Sequence, residues 1–240
     1  MALILVCHGA WSGGWSWKKM RDPLKALGHD LMTPTYTGLG ERTHLINPMI
    51  DLEVHIRDVL GVVTCEDLRD FVLLGHSYGG MVATGVADRA SERIVEMIYL
   101  DAFVPENGQS LFDLRPDTAD AARRSATAEG DGWFLPPGPL APDILADDRD
   151  WLTTRRSRQP LKTFEQKLVL AGKAAALPKS YIYCRKKGDD DPFRAIAERV
   201  RGLPGWRYLE MESGHVPNIT APEALATLID GIVSAGGARG

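Results

Sequence analysis

The stretch Phe71-Val-Leu-Leu-Gly75-His76-Ser77-Tyr78-Gly79-Gly80-Met81 constrains this chain more than any other. An apolar run enters a Gly-x-Ser-x-Gly turn, and helix-forming sequence leaves it. A turn this tight between a strand and a helix needs small residues at its corners. It lifts the Ser77 hydroxyl above the sheet edge and aims the N-terminus of the next helix at it. The bland alternative is a glycine-rich turn without chemistry. The strand before it and the helix after it favour the reactive reading.

The rest of the chain repeats the same rhythm. Short, nearly continuous apolar runs occur at Leu3–Cys7, Asp30–Thr33, Asp70–Leu74, Met97–Leu100, Tyr181–Cys184 and Trp206–Met211. Continuous rather than alternating runs predict strands buried on both faces of a parallel sheet. Helical patterns lie between them at Trp17–Leu27, Leu52–Thr64, Tyr78–Ala90, Pro192–Val200 and Pro222–Val233. Asp51 is placed to cap the second of these. Strands alternating with helices predict an α/β architecture with a mostly parallel central sheet flanked by helices.

The rhythm stops between Phe103 and Lys179, where no clear strand is visible and Pro, Asp and Arg are frequent. Pro136-Pro137-Gly138-Pro139 marks a loop, and Leu161–Leu170 has helical spacing through Phe164 and Leu168. We therefore expect a core of residues 1–102 and 180–240, with residues 103–179 inserted as a mainly helical cap between two core strands. The tail Gly236–Gly240 is expected to fray.

Composition narrows the function classes. The 240 residues carry 28 basic and 32 acidic side chains, a net charge of −4. That balance is too mild for nucleic acid or an acidic membrane surface, and no basic cluster is interleaved with aromatics. Cys7, Cys65 and Cys184 are far apart and form no Cys-x-x-Cys pair, so neither a disulfide framework nor a metal site is expected. The N-terminal apolar run is too short for a secretory signal, and no run of about 20 apolar residues occurs. A cytoplasmic protein without metal or cofactor is expected, acting on a small molecule; the sequence also allows a homodimer.

Candidate partners for Ser77 come from three places. The first strand ends in Cys7-His8-Gly9-Ala10-Trp11-Ser12-Gly13-Gly14-Trp15, a backbone loop suited to donating an N–H to an oxyanion. We assign that donor to Ala10 and the second to Tyr78, the residue after the serine. Two preorganised donors each contribute on the order of 3 kcal/mol to a transition state. A phosphate-cradling loop is the weaker reading, since neither glycine-rich phosphate pattern is present. His215, between the last strand and last helix, is the candidate general base, because neutral imidazole shuttles protons near neutrality. His8 and His76 are read as shaping their turns, and His29, His44 and His55 have no supporting context. The acid that fixes the imidazole tautomer has two candidates. Asp191 follows the strand after the insertion, within Gly188-Asp189-Asp190-Asp191-Pro192, but could instead cap a helix. Asp101 ends the strand before the insertion. Asp189 ranks behind both.

These motifs together resemble a known family. His8-Gly-Ala-Trp-x-Gly-Gly-Trp-x-Trp17, Thr37-Gly-Leu-Gly-Glu-Arg42, Gly75-His-Ser-Tyr-Gly-Gly80 and Leu100-Asp-Ala-Phe-Val-Pro105 are similar to bacterial α/β-hydrolases of the EstC-like, pyrethroid-hydrolase-like esterase group. That group is related to plant methyl esterases and hydroxynitrile lyases. The likeness covers Leu3 to about Leu114 and resumes from about Tyr181 to Leu228. It implies the α/β-hydrolase fold and cofactor-free hydrolysis of a small, largely apolar carboxylic ester, with Ser77, His215, Ala10 and Tyr78 on matching positions. The lyases carry Lys after the histidine and Thr on the first strand; here those positions are Val216 and Leu5, so hydrolysis is expected. The later acid of the lyases favours Asp189–Asp191, whereas the Leu-Asp-Ala-Phe-Val-Pro motif favours Asp101. A lyase, a decarboxylase or a cofactor-free dioxygenase on the same scaffold is the rival reading. A ligand binder without turnover is the third. The tryptophans of the first loop, with Trp133, Phe134 and Trp151, hint weakly at an aromatic pocket.

Overall fold

The computed structural model describes residues 1–140 and 144–237. Among these residues eight strands run in chain order: β1 Leu3–Cys7, β2 Asp30–Met32, β3 Phe71–His76, β4 Ile94–Leu100, β5 Phe134–Leu135, β6 Gln159–Pro160, β7 Lys179–Cys184 and β8 Trp206–Met211. Ten α-helices accompany them: α1 Arg21–Ala26, α2 Leu52–Cys65, α3 Gly79–Arg89, α4 Leu111–Leu114, α5 Pro116–Glu129, α6 Ala146–Thr153, α7 Lys162–Glu165, α8 Arg194–Arg201, α9 Pro217–Thr220 and α10 Pro222–Gly237. Six strands form one sheet in the order β2-β1-β3-β4-β7-β8, and every pair in it is parallel.

Side-chain alternation sorts each strand between two cores. Leu5, Leu73, Met97, Tyr99 and Tyr181 pack on one face with Ile56, Val59 and Val63 of α2, Val82 and Val86 of α3 and Val200 of α8. Ile4, Val6, Val72, Leu74, Ile98, Leu100 and Ile182 pack on the other, with Trp17, Met20 and Leu24 and with Leu225, Ile229 and Ile232 of α10. Both faces are apolar because both are covered by helices, which is why the sequence reads as unbroken apolar runs. Each fully buried Leu or Ile contributes about 1.5–3 kcal/mol relative to exposure. The Asp51 carboxylate accepts from Val54 N at 3.0 Å and so starts α2 as its position predicts.

Several expectations need correction. β2 and β8 are the sheet's edges, and β8 is only partly buried along most of its length, unlike a strand covered on both faces. The region after β1 is a 3₁₀ stretch, Gly14–Met20, followed by the short α1, not one helix. Residues 103–179, expected to lack strands, contain the antiparallel pair β5–β6 (Phe134 opposite Pro160) beside four helices. Only one helical turn, α7, forms within Leu161–Leu170. Beyond it the chain is extended: Leu168 N donates to Gln109 O at 3.0 Å and Gly108 N to Leu168 O at 2.8 Å. Those bonds bury Leu168 by pairing it with a neighbouring segment, which its apolar spacing alone did not reveal. Gly236 and Gly237 complete α10; the other residues of the tail expected to fray lie outside the described residues.

Candidate active site

The nucleophile turn grows out of close backbone approach. A Cβ on Gly79 would overlap the Cys7 carbonyl oxygen, and one on Gly75 would lie 2.8 Å from Gly79 O. Only glycine at both points lets α3 start against the end of β1. Ser77 takes the left-handed conformation, with φ of 56°, a strained state for a side chain that surrounding structure must enforce. Here the enforcement is visible: Ser77 N donates to Leu100 O at 3.4 Å, and Phe103 N donates to Ser77 O at 3.2 Å.

His215 sits in a slot of three groups. Its Nδ1 lies 2.7 Å from Asp101 Oδ2, its ring stacks on Phe193 with centroids 4.8 Å apart, and His76 lies 4.8 Å away on a tilted plane. An ionised carboxylate can only accept, so Nδ1 carries the proton and Nε2 keeps its lone pair. His76 Nε2 donates to His215 O at 2.8 Å and fixes the loop from below. Burial, then the charge of His215, push the His76 imidazole down to about 3, so it stays a neutral donor at working pH. Ser77 and His215 line the same cavities. Among the described residues no hydrogen bond joins Ser77 Oγ to the ring, a spacing that often closes only when substrate binds.

The two acid candidates occupy different places. Asp101 is fully buried and also has a left-handed backbone, φ 42°. Besides His215 it accepts from Cys184 N at 3.2 Å and from Lys187 Nζ at 2.5 Å, both on Oδ1. Asp191 makes no hydrogen bond or ion pair with His215. It accepts from Tyr183 Oη at 2.6 Å and from Phe193 N at 2.9 Å, and pairs with Lys187 at 2.9 Å. Burial would raise its carboxyl, but the Tyr183 hydroxyl, Lys187 and the Phe193 amide outweigh it, leaving the group below its ordinary value. The bond to Phe193 N closes a local turn ahead of α8; the N-cap of that helix is Phe193, so the capping role weighed for Asp191 from sequence is not the one it takes. Asp189 lines the large cavity.

Lys187 carries no local signal in the sequence, yet it bridges the two aspartates and packs over the Tyr183 and Phe193 rings at 4.5 and 5.0 Å. The first loop hides a similar long-range device. Trp11 N donates to Gln159 Oε1 at 2.9 Å, Trp11 Nε1 to Leu135 O at 3.2 Å, and Ser157 N to Trp11 O at 3.1 Å. The β5–β6 pair thus clamps the loop that presents Ala10. Among the described residues the amides of Ala10 and Tyr78 have no protein acceptor. The Tyr78 side chain points elsewhere, with its hydroxyl 2.9 Å from His55 Nδ1. His8, as expected, shapes its turn, with Nδ1 2.8 Å from Gly9 O. Trp133 makes an edge contact with Phe134, and Trp151 another with Trp15.

A cavity of about 1030 Å³ opens on Ser77 and is lined by Trp11, Phe103, Phe112, Phe164 and Phe193. No helix among the described residues is long and apolar enough to cross a membrane, and none of those residues cluster as a three-ligand His, Cys, Asp or Glu metal site.

Comparisons with known proteins bear on the family and the fold. A model of the alpha/beta hydrolase family matches residues 4–228. A carbendazim-hydrolyzing esterase of Nocardioides sp. (strain SG-4G) is 42% identical over 239 residues, covering 94% of this chain and 97% of that protein. An extracellular alpha/beta-hydrolase from a Paenibacillus species superposes with a TM-score of 0.84 at 24% identity, over 95% of this chain and 98% of its own. A pyrethroid hydrolase superposes with a TM-score of 0.69 at 21% identity, over 98% of both chains. At such identities the two structures speak for the fold alone.

Proposed function

The chain belongs to the alpha/beta hydrolase family, and from that premise we propose that it cleaves a carboxylic ester of a small, largely apolar substrate through an acyl-enzyme on Ser77. The observation that carries this reading is the His215 Nδ1 to Asp101 Oδ2 hydrogen bond of 2.7 Å, beside a serine held left-handed at the end of β3. Asp101 is the acid in this reading, and Asp191 supports it through Lys187.

The geometry performs the reaction in two halves. The ester carbonyl carbon approaches Ser77 Oγ, and His215 Nε2 takes the hydroxyl proton as the new C–O bond forms. The amides of Ala10 and Tyr78 receive the oxyanion, and donors fixed before the charge develops need no reorganisation. Asp101 stabilises the imidazolium without taking its proton. His215 then protonates the leaving alcohol as its C–O bond breaks. In the second half His215 activates a water, which attacks the acyl carbon and releases the acid and free Ser77. Lys187 and Cys184 N hold Oδ1 of Asp101, so Oδ2 faces the histidine. Residues 103–179 serve as the cap: they supply Phe112 and Phe164 to the cavity and hold the Ala10 loop through Gln159.

The test is turnover of a panel of p-nitrophenyl and methyl esters beside Ser77→Ala. Activity in the wild type that vanishes in the variant supports the reading. Comparable rates in both, or none in either despite fluorophosphonate labelling of Ser77, would overturn it.

A further inference from the structure

Trp11, the residue after the proposed oxyanion donor Ala10, has a left-handed backbone with φ of 56°. A bulky side chain rarely adopts that conformation, and it persists only where the surroundings over-determine it. Among the described residues the hydrogen bonds of Trp11 all run to the insertion: to Gln159 Oε1, to the Leu135 carbonyl and from the Ser157 amide. The strain sits beside the serine, and the groups that hold it come from residues 103–179.

Gln159 is the most exacting of the three. It is fully buried, and its amide can point only one way. Oε1 must accept from the Trp11 N–H at 2.9 Å, so Nε2 faces Thr163 and donates to its Oγ1 at 2.7 Å. The Thr163 hydroxyl, also fully buried, gives its own hydrogen to Pro160 O at 2.6 Å. The relay is directional and ends on a backbone carbonyl. One residue further, Phe164 lays its ring against both Trp11 and Tyr78, with centroids 5.7 and 5.5 Å apart. The insertion thus grips the neighbour of one oxyanion donor and the side chain of the other.

Building on the ester-hydrolase reading, we infer that Gln159 is a positioning residue of the oxyanion hole: it holds Trp11 left-handed and so aims the Ala10 N–H at the developing charge. The hole is complete only while the insertion is docked. Without the Gln159 bond Trp11 relaxes toward a negative φ, the peptide before it turns, and the Ala10 amide moves with it. A group misplaced by about 1 Å costs about 10²-fold in rate, and a donor removed outright about 10²–10³-fold. The substrate oxygen carries full charge only in the tetrahedral state, so the loss falls on kcat and leaves KM in place.

The experiment measures p-nitrophenyl butyrate hydrolysis, and its inhibition by phenethyl trifluoromethyl ketone, in the wild type, Gln159→Met, Thr163→Val and Asp88→Ala. Ser77 Oγ adds to the ketone carbon, its proton passes to His215, and the carbonyl π pair becomes an oxyanion in the hole. The inhibition constant therefore reads the hole itself. Gln159→Met keeps the side-chain length and removes the acceptor. It is expected to lower kcat about 10- to 100-fold with KM little changed, and to raise the inhibition constant by the factor that kcat/KM falls. Thr163→Val, which frees the Gln159 amide to turn, is expected to show the same pattern at about 3- to 10-fold. The Asp88 carboxylate holds Ala171 N and Lys173 N at the far end of the insertion, so Asp88→Ala is expected to lower the melting temperature and leave kcat unchanged. A Gln159→Met enzyme with wild-type kcat and a lowered melting temperature overturns the inference. So does a rise in KM alone, a loss of kcat with the inhibition constant unchanged, or the same kinetic loss in Asp88→Ala. Should Gln159→Met not fold, Thr163→Val decides by the same comparison. Wild-type turnover reads the ester-hydrolase proposal separately: turnover that Gln159→Met leaves intact fails this inference alone, and none in the wild type fails both.

Discussion

Replacing Asp101 by Asn should cost about four orders of magnitude in kcat while leaving the fold intact, and the structure says why. Oδ1 faces two groups that can only donate, Lys187 Nζ at 2.5 Å and Cys184 N at 3.2 Å. The amide oxygen of the substituted side chain must take that side, so its NH₂ turns to His215 Nδ1. A donor there forces Nδ1 to accept and moves the ring proton to Nε2, the atom that must receive the Ser77 proton. The base is thus held in the wrong tautomer, and the imidazolium also loses its counter-charge. In serine proteases the same change costs about 10⁴-fold, equivalent to about 5.5 kcal/mol at 1.36 kcal/mol per decade. Folding survives because Lys187 keeps Asp191 at 2.9 Å. Asp191→Asn keeps the His215–Asp101 bond and is expected to lose less than about tenfold in kcat. Its cost falls on stability, about 1–3 kcal/mol for weakened buried hydrogen bonds. The assay is steady-state p-nitrophenyl ester hydrolysis by both variants, with melting temperatures measured in parallel. An Asp191→Asn enzyme crippled about 10³-fold, beside an Asp101→Asn enzyme retaining a tenth of wild-type turnover, would refute the reasoning and move the acid to the strand after the insertion.

Other expectations follow from the same geometry. Burial holds the imidazoles of His8, His55 and His76 down to about 4, 3 and 3. Unfolding releases them to about 6.5, so below that pH the unfolded chain binds protons that the folded chain refuses. Stability therefore falls as pH drops from 7 toward 5, by about 1.4 kcal/mol per unit for each histidine and on the order of 5 kcal/mol for all three; urea melts that are flat over this range would contradict it. Gly79→Ala places a methyl group into the Cys7 carbonyl, and chemical denaturation should read a loss above about 3 kcal/mol, at the severe end of point substitutions. Cys7 and Cys184 are buried with thiols pushed up to about 12, chiefly by desolvation, while Cys65 is exposed. A thiol reagent on the native protein should therefore modify Cys65 alone, with the other two reacting only after denaturation.

The parts of this molecule that sequence revealed are those whose causes are local. Strands covered on both faces announce themselves as unbroken apolar runs, and Gly75-His-Ser77-Tyr-Gly79 states its own turn. The edge strand β8 was over-read because Trp206, Tyr208 and Leu209 look as apolar as a core strand while lying half-exposed. Asp101 and Asp191 could not be separated, because what distinguishes them is a contact between His215 and a residue more than a hundred positions earlier. Lys187 was invisible for a related reason: Arg185-Lys186-Lys187 reads as solvated charge, and only the packing of β4 beside β7 turns the last of these inward. Gln159 likewise looks like an ordinary loop residue until the β5–β6 pair carries it, fully buried, to Trp11.

The pairing of β4 with β7 has a further consequence. Leu100 lies opposite Ile182 and Asp101 N donates to Ile182 O at 2.8 Å, so the chain leaves the sheet and re-enters it on neighbouring strands. The long excursion between them imposes no register on the sheet, and its length and content can drift while the serine, histidine and aspartate keep their places. The excursion is tied to the rest at many points: besides Gln159, the Leu135 carbonyl and the Ser157 amide on Trp11, Asp148 pairs with Lys19, Gln166 accepts from Glu53 N, the Asp88 carboxylate accepts from Ala171 N and Lys173 N, and Phe112, Phe164 and Leu168 pack into the main core. A lineage, or an engineer, that preserved those attachments could exchange the cavity-lining side chains between them and change diet without relearning the chemistry.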